Sequence, residues 1–146
     1  MQPLLVFPNP APPELIQMLD LSGWSWRAVG DDLAARRDEP EDGWGGAIVV
    51  AEHNPEAAFA LCRALRKNDR PLEPLLLLVS GAQLIELDLR DDLYDDFCLW
   101  PFQPREFEAR LKHALWRSGR SARAEVIEHS GLVLNLETYQ AAINGR

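Results

Sequence analysis

The chain has 146 residues, is 47% hydrophobic and 26% charged, and carries a formal net charge of −8. That length suffices for one domain with its own core and a fragment of a second, and no apolar run approaches the roughly 20 residues of a membrane span. The C-terminal stretch 118–146 balances Arg120, Arg123 and Arg146 against Glu125, Glu128 and Glu137, so the acidity lies in residues 1–117, a block that repels nucleic acid.

The N-terminus, "MQPLLVFPNP", has neither the basic start nor the long apolar core of a secretion signal. Cys62 and Cys98 each sit in an apolar pattern, which fits buried thiols in a reducing cytoplasm better than a disulfide framework. "PLLVF", residues 3–7, predicts a buried strand (β1), closed by Pro8-Asn9-Pro10. Pro12 and Pro13 open a helix (α1), because a missing N–H costs nothing in its first turn. Leu15, Ile16, Met18 and Leu19 give α1 an apolar face, and Gly23 ends it. "WSWRAV", residues 24–29, predicts β2. Asp31 or Asp32 caps a short helix (α2) running to Arg37. Residues 38–46 predict a loop.

"AIVVA", residues 47–51, predicts β3. A continuous β-branched run with no polar face belongs to a strand covered on both sides, hence to a parallel sheet. Pro55 opens α3, which runs to Lys67 with Ala58, Leu61 and Leu65 on one face. "LLLLV", residues 75–79, predicts β4; residues 83–93 are compatible with a helix (α4) but weakly patterned; "FCL", residues 97–99, predicts β5. Pro104 opens α5, whose apolar face is Phe107, Leu111, Ala114 and Leu115. Strands alternating with helices through short connections predict an α/β fold, a doubly wound five-stranded parallel sheet with helices on both faces. In such sheets the working crevice lies at the carboxyl ends of the strands. Residues 118–124 read as a linker. Residues 125–146, with alternating Leu132, Leu134 and Leu136 and the turn pair Asn144-Gly145, read as the start of a truncated, β-rich second domain.

The stretch "DDFCLWPFQPREFEARLKHALWR", residues 95–117, resembles the end of the receiver domain of two-component response regulators of the OmpR/PhoB winged-helix type. Asp95, Asp96, Pro101, Phe102, Pro104, Glu106, Ala109 and Arg110 stand in register with that family's usual pattern. "ALCRALRK" resembles its third helix, and "GLVLNLETYQAAINGR" the small sheet before its winged helix. The resemblance implies a receiver-like domain over 1–117 and the start of a winged-helix DNA-binding domain over 125–146. DNA binding is then expected only through that incomplete C-terminal domain.

Receiver chemistry transfers a phosphoryl group to an aspartate. It needs two acids after β1 for Mg²⁺, an acceptor Asp at the end of β3, a Ser or Thr after β4, and a Lys after β5 to hold phosphoryl oxygens. Here the acid pair reads Pro8 and Asn9. The acceptor position reads Glu52, or Ala51 if the strand slips by one. The hydroxyl is Ser80, and the lysine position is Trp100. Proline offers a metal no side-chain ligand, and indole offers one N–H and no charge. The resemblance also implies a switch aromatic at Phe97 and a cis bond before Pro101.

These departures point to a receiver that works without phosphorylation. We expect no cofactor, no metal and no enzymatic activity, since a phosphate-cradling Gly-rich loop, a metal-ligand cluster and a catalytic triad are all missing from the sequence. Glu52 reads either as a mimic of a phosphorylated Asp or as a solvated loop acid. Trp100 either stacks on a small planar ligand or fills the vacated space. His53, with no ligand-spaced partner, reads as an exposed loop residue. By resemblance, Asp95, Asp96, Glu106, Arg110 and Arg117 imply a homodimer through the α4-β5-α5 face; the same charges also suit a solvated helix with an i,i+4 pair. The expected function is a cytoplasmic, phosphorylation-independent receiver of a bacterial transcription regulator that acts by dimerisation. A receiver-like adaptor, or a module that senses a small molecule, is the alternative.

Overall fold

The computed structural model describes residues 2–67, 71–87 and 91–118. The expected linker over 118–124 lies outside them apart from Ser118, and the expected second domain over 125–146 lies wholly outside. Five parallel strands form one sheet in the order β2-β1-β3-β4-β5. They are β1 (Leu4–Phe7), β2 (Trp26–Ala28), β3 (Gly46–Val50), β4 (Leu75–Val79) and β5 (Asp96–Leu99). Between and after them run α1 (Pro13–Leu21), α2 (Asp32–Arg37), α3 (Pro55–Arg66), α4 (Leu84–Leu87) and α5 (Pro104–Ser118). The doubly wound five-stranded sheet is therefore as expected.

Burial explains the apolar runs. Every residue of β1, β3 and β4 is buried, because each of these strands has helices on both sides. Odd-numbered Leu5, Phe7, Val49, Leu77 and Val79 pack with Phe59, Leu61 and Leu65 of α3. Even-numbered Leu4, Val6, Ile48, Leu76 and Leu78 pack with Leu15 and Leu19 of α1 and with Phe107 and Leu111 of α5. Successive strand side chains point to opposite faces, so one continuous run feeds two cores.

The helix ends follow their local chemistry. Asp31 accepts from Ala34 N–H at 2.8 Å and Asn54 accepts from Ala57 N–H at 3.2 Å, so α2 and α3 are capped by side-chain oxygens. Gly23, two residues past α1, has φ +81°, a left-handed conformation that glycine adopts without Cβ strain.

Two regions depart from expectation. β3 starts and ends one residue earlier than predicted, because Gly46 already pairs with Leu4. In the stretch 83–93, Gln83 ends a 3-10 turn that begins at Gly81, the described part of α4 is Leu84–Leu87, and Asp91–Leu93 form a second 3-10 turn. Burial is uneven along it: Ile85 is 80% exposed, while Leu93 is buried.

Candidate functional site at the carboxyl ends of the strands

The register fixes which residues meet where the sheet ends. Phe7 pairs with Val49, Val50 with Leu78, and Val79 with Leu99. One step further along each strand come Pro8 and Asn9, Ala51, Ser80 and Trp100. The sequence-predicted positions therefore share one edge.

The backbone sets Ala51 and Glu52, the two readings of the acceptor position, in different surroundings. Ala51 N–H donates to Leu78 O at 2.8 Å. Ala51 has no exposed surface, and its methyl joins the core beside Val49 and Val79. Ala51 is thus the last residue tied into the sheet. Glu52 falls outside the ladder, in a bend, with its carboxylate 3.7 Å from His53 Nε2 and both side chains in contact with water. The end of β3 thus carries a buried methyl, followed by a solvated acid.

Sequence reasoning missed the residue that ties this edge together. Gln83 is buried, donates from Nε2 to Ala51 O at 2.9 Å, and accepts at Oε1 from Ser80 N–H at 2.9 Å. Its own N–H donates to Ser80 O at 3.0 Å. Position 83 was visible only as the start of a weakly patterned segment, and a glutamine three residues after a serine at a turn was the one available signal.

Trp100 closes the edge at β5. Its N–H donates to Val79 O at 2.7 Å, which extends the ladder past Leu99. The Trp100–Pro101 bond is cis, as the Pro101-Phe102 frame led us to expect. The indole is half-buried against the α1–α5 core, with ring centroids of Trp100 and Phe102 5.4 Å apart, and those of Phe102 and Phe107 5.0 Å apart. These offset aromatic contacts anchor the loop after β5 to the root of α5. Beside Trp100 opens a cavity of about 320 Å³, lined by Glu14, Gln17, Met18 and Leu21 of α1 and by Trp100, Pro101, Phe102 and Pro104. Among the described residues, no group of three or more His, Cys, Asp and Glu side chains is placed to hold a metal ion.

The second set of predicted residues sits on β5 and α5. Arg110 Nη1 lies 3.1 Å from Asp96 Oδ1, and its Nη2 lies 3.1 Å from Glu106 Oε2. The Glu106 hydrogen bond, followed by the charge of Asp96, holds the guanidinium pKa above its ordinary value. Phe97, the expected switch aromatic, is half-buried between Tyr94, edge-on at 6.2 Å, and the Arg110 guanidinium, 6.0 Å from the ring centroid. Asp95 faces elsewhere. It pairs with Arg66 of α3 at 2.9 Å and accepts from Leu75 N–H at 2.7 Å, so it fastens α3 to the start of β4. Arg117 is exposed near the end of α5. Leu99 (47% exposed) and Ile85 supply apolar surface on β5 and α4.

No family model matches the chain. A curated relative, the phosphate regulon transcriptional regulatory protein PhoB of Pseudomonas aeruginosa, is 29% identical over 92 residues, which cover 62% of this chain and 40% of that protein. The chain thus spans about two fifths of the relative's length. Among solved structures, a CheY-like response regulator receiver domain protein from Methanospirillum hungatei superposes with a TM-score of 0.65 at 15% identity, covering 83% of this chain and 98% of that one. The fold is that of a response-regulator receiver domain. The receiver domain of a signal transduction histidine kinase from Syntrophus aciditrophicus agrees, with a TM-score of 0.62 at 21% identity over 79% of this chain and 90% of that one. NtrX from Brucella abortus reaches a TM-score of 0.70 at 14% identity, covering 86% of this chain but 29% of NtrX. Among the described residues, no helix of this receiver fold is long and apolar enough to cross a membrane.

Proposed function

We propose that this chain is a receiver-type module of a two-component transcription regulator that signals without phosphorylation. One observation carries the reading: the sheet edge keeps the receiver's frame while a buried Ala51 methyl stands at the strand end and an indole stands in place of the lysine. An acyl phosphate needs a carboxylate nucleophile and cations to offset the incoming charge. Pro8, Asn9, Ala51 and Trp100 supply none of these. Glu52, in its bend beside His53, is a solvated loop acid in this reading. Incubation with acetyl phosphate and Mg²⁺ followed by intact mass tests the point. No phosphoryl gain is expected, and a stoichiometric adduct refutes the proposal.

Without a chemical switch, association is how such a module acts. The face formed by α4, β5 and α5 offers Ile85 and Leu99 as apolar surface, with the cluster of Asp96, Glu106 and Arg110 as its charges. Exposed ion pairs contribute only about 0–1 kcal/mol each, so the apolar area gives affinity and the charges set register. A two-fold pair would set each patch against its own copy. DNA contact, in this reading, belongs to the segment beyond the receiver domain, as the likeness to PhoB suggests.

The cavity beside Trp100 favours a second reading, a module that senses a small molecule. At about 320 Å³ it is at the lower end of ligand-site sizes. A fragment screen observed through the Trp100 indole N–H resonance tests it. Hits lost in Gln17→Phe, which fills the cavity and keeps the Trp100 reporter, would support this reading, and no perturbation at millimolar fragment would dismiss it.

A further inference from the structure

Among the described residues, Gln83 is the one buried polar side chain, at 8% exposure. A buried amide is costly unless both of its ends are bonded. Here its two ends reach different elements. Oε1 accepts from the backbone of Ser80, three residues back, and Nε2 donates to the carbonyl of Ala51, 32 residues away at the end of β3. A cap alone needs only the first bond. The second joins the β3 edge to the turn that leads into α4.

We propose that Gln83 is a built-in clamp: its amide permanently bridges the end of β3 and the β4–α4 turn, the two places that a phosphoryl group would otherwise link. A positioning residue of this kind holds the turn closed with no ligand and no chemistry. Leu84 and Ile85 follow Gln83 directly, so the clamp also fixes how α4 presents its apolar surface. That last step rests on the dimer reading above; the clamp itself does not.

Two substitutions separate a clamp from a cap. Gln83→Glu keeps an acceptor for Ser80 N–H but cannot donate to Ala51 O at pH 9, where even a buried carboxyl is ionised. Gln83→Leu removes both bonds. Hydrogen exchange of the full chain, read over 80–87 and over β1 and β4, is compared with the global stability of each variant. The clamp predicts at least about tenfold faster exchange over 80–87 in both variants, beyond what the global change explains. In Gln83→Glu, protection should return as the pH falls, because a protonated carboxyl can donate to Ala51 O again. If Gln83→Glu is as well protected as the wild type at pH 9, Gln83 is a cap and the proposal fails. Exchange that rises equally in every strand also overturns it. Should Gln83→Leu not fold, the isosteric Gln83→Glu carries the test alone. Sedimentation of the same samples is read separately: a wild type that never associates defeats the dimer reading, while the exchange rates still decide for or against the clamp.

Discussion

A carboxylate introduced at the end of β3 should harm this chain. Ala51 has no exposed surface, its methyl packs beside Val49 and Val79, and its N–H and C=O are both bonded. Ala51→Asp therefore places a carboxyl in a dry site. One step past the Val50–Leu78 pair, its neighbour on β4 is the neutral Val79. An unfolded carboxyl titrates near 3.9. Burial without a cation would raise this by about 2–3 units, and each unit corresponds to about 1.4 kcal/mol. The unfolded state then releases its proton before the folded state does. Stability relative to wild type should fall as pH rises from about 4 to about 7, by roughly 3–4 kcal/mol in all. Overpacking adds about 1–3 kcal/mol at every pH. Against a total of about 5–15 kcal/mol for a domain, the variant should be marginal at pH 8. Urea denaturation of both proteins at pH 4.5 and pH 8, followed by circular dichroism, measures the gap. A gap that does not change with pH would refute the reasoning. Adding Trp100→Lys should narrow it at pH 8, since the ammonium would then have a partner.

Arg110→Glu would place three carboxylates together and remove their shared cation, so it should weaken self-association at least tenfold by sedimentation, and Ile85→Glu should do the same by charging the apolar patch. Phe107→Ala empties a fully buried site that touches Phe102, and should cost about 3–5 kcal/mol in chemical denaturation. Burial pushes the Cys62 thiol up to about 12 from an ordinary value of 9.0, and burial, reinforced by Glu106, raises that of Cys98. Both should resist thiol reagents at pH 8 unless the chain is unfolded. Because unfolding lets Cys62 ionise at its ordinary value, its contribution to stability should be intact below about pH 9 and fall by about 1.4 kcal/mol per pH unit from there to about pH 12.

The strands were legible because burial on both faces leaves only apolar residues, as in "AIVVA" and "LLLLV". The helices that begin at Pro13, Pro55 and Pro104 announced themselves through the proline in the first turn. What stayed hidden was contact made by register. Gln83 meets Ala51, and Asp95 meets Arg66, only because the sheet brings together residues 32 and 29 positions apart. Trp44 shows the same limit. It lies in a stretch read as loop, yet it is buried, with its Nε1 donating to Ala35 O at 3.2 Å as it plugs the underside of α2. The cavity beside Trp100 joins α1 to the loop after β5, two segments with no shared sequence pattern.

Arg110 spends its guanidinium on Asp96 and Glu106 of its own chain, so little positive charge is left over to greet a second copy. That cluster sets two carboxylates against one guanidinium, which leaves each surface with a small negative excess. Two such surfaces brought together by a two-fold axis are weakly repulsive at long range. Physiological ionic strength shortens that repulsion to about 8 Å, and stronger salt shortens it further. Self-association across this face should therefore tighten as salt is added, the reverse of what a dimer held by cross-chain ion pairs would do. A simple salt titration then distinguishes adhesion by apolar surface from adhesion by charge.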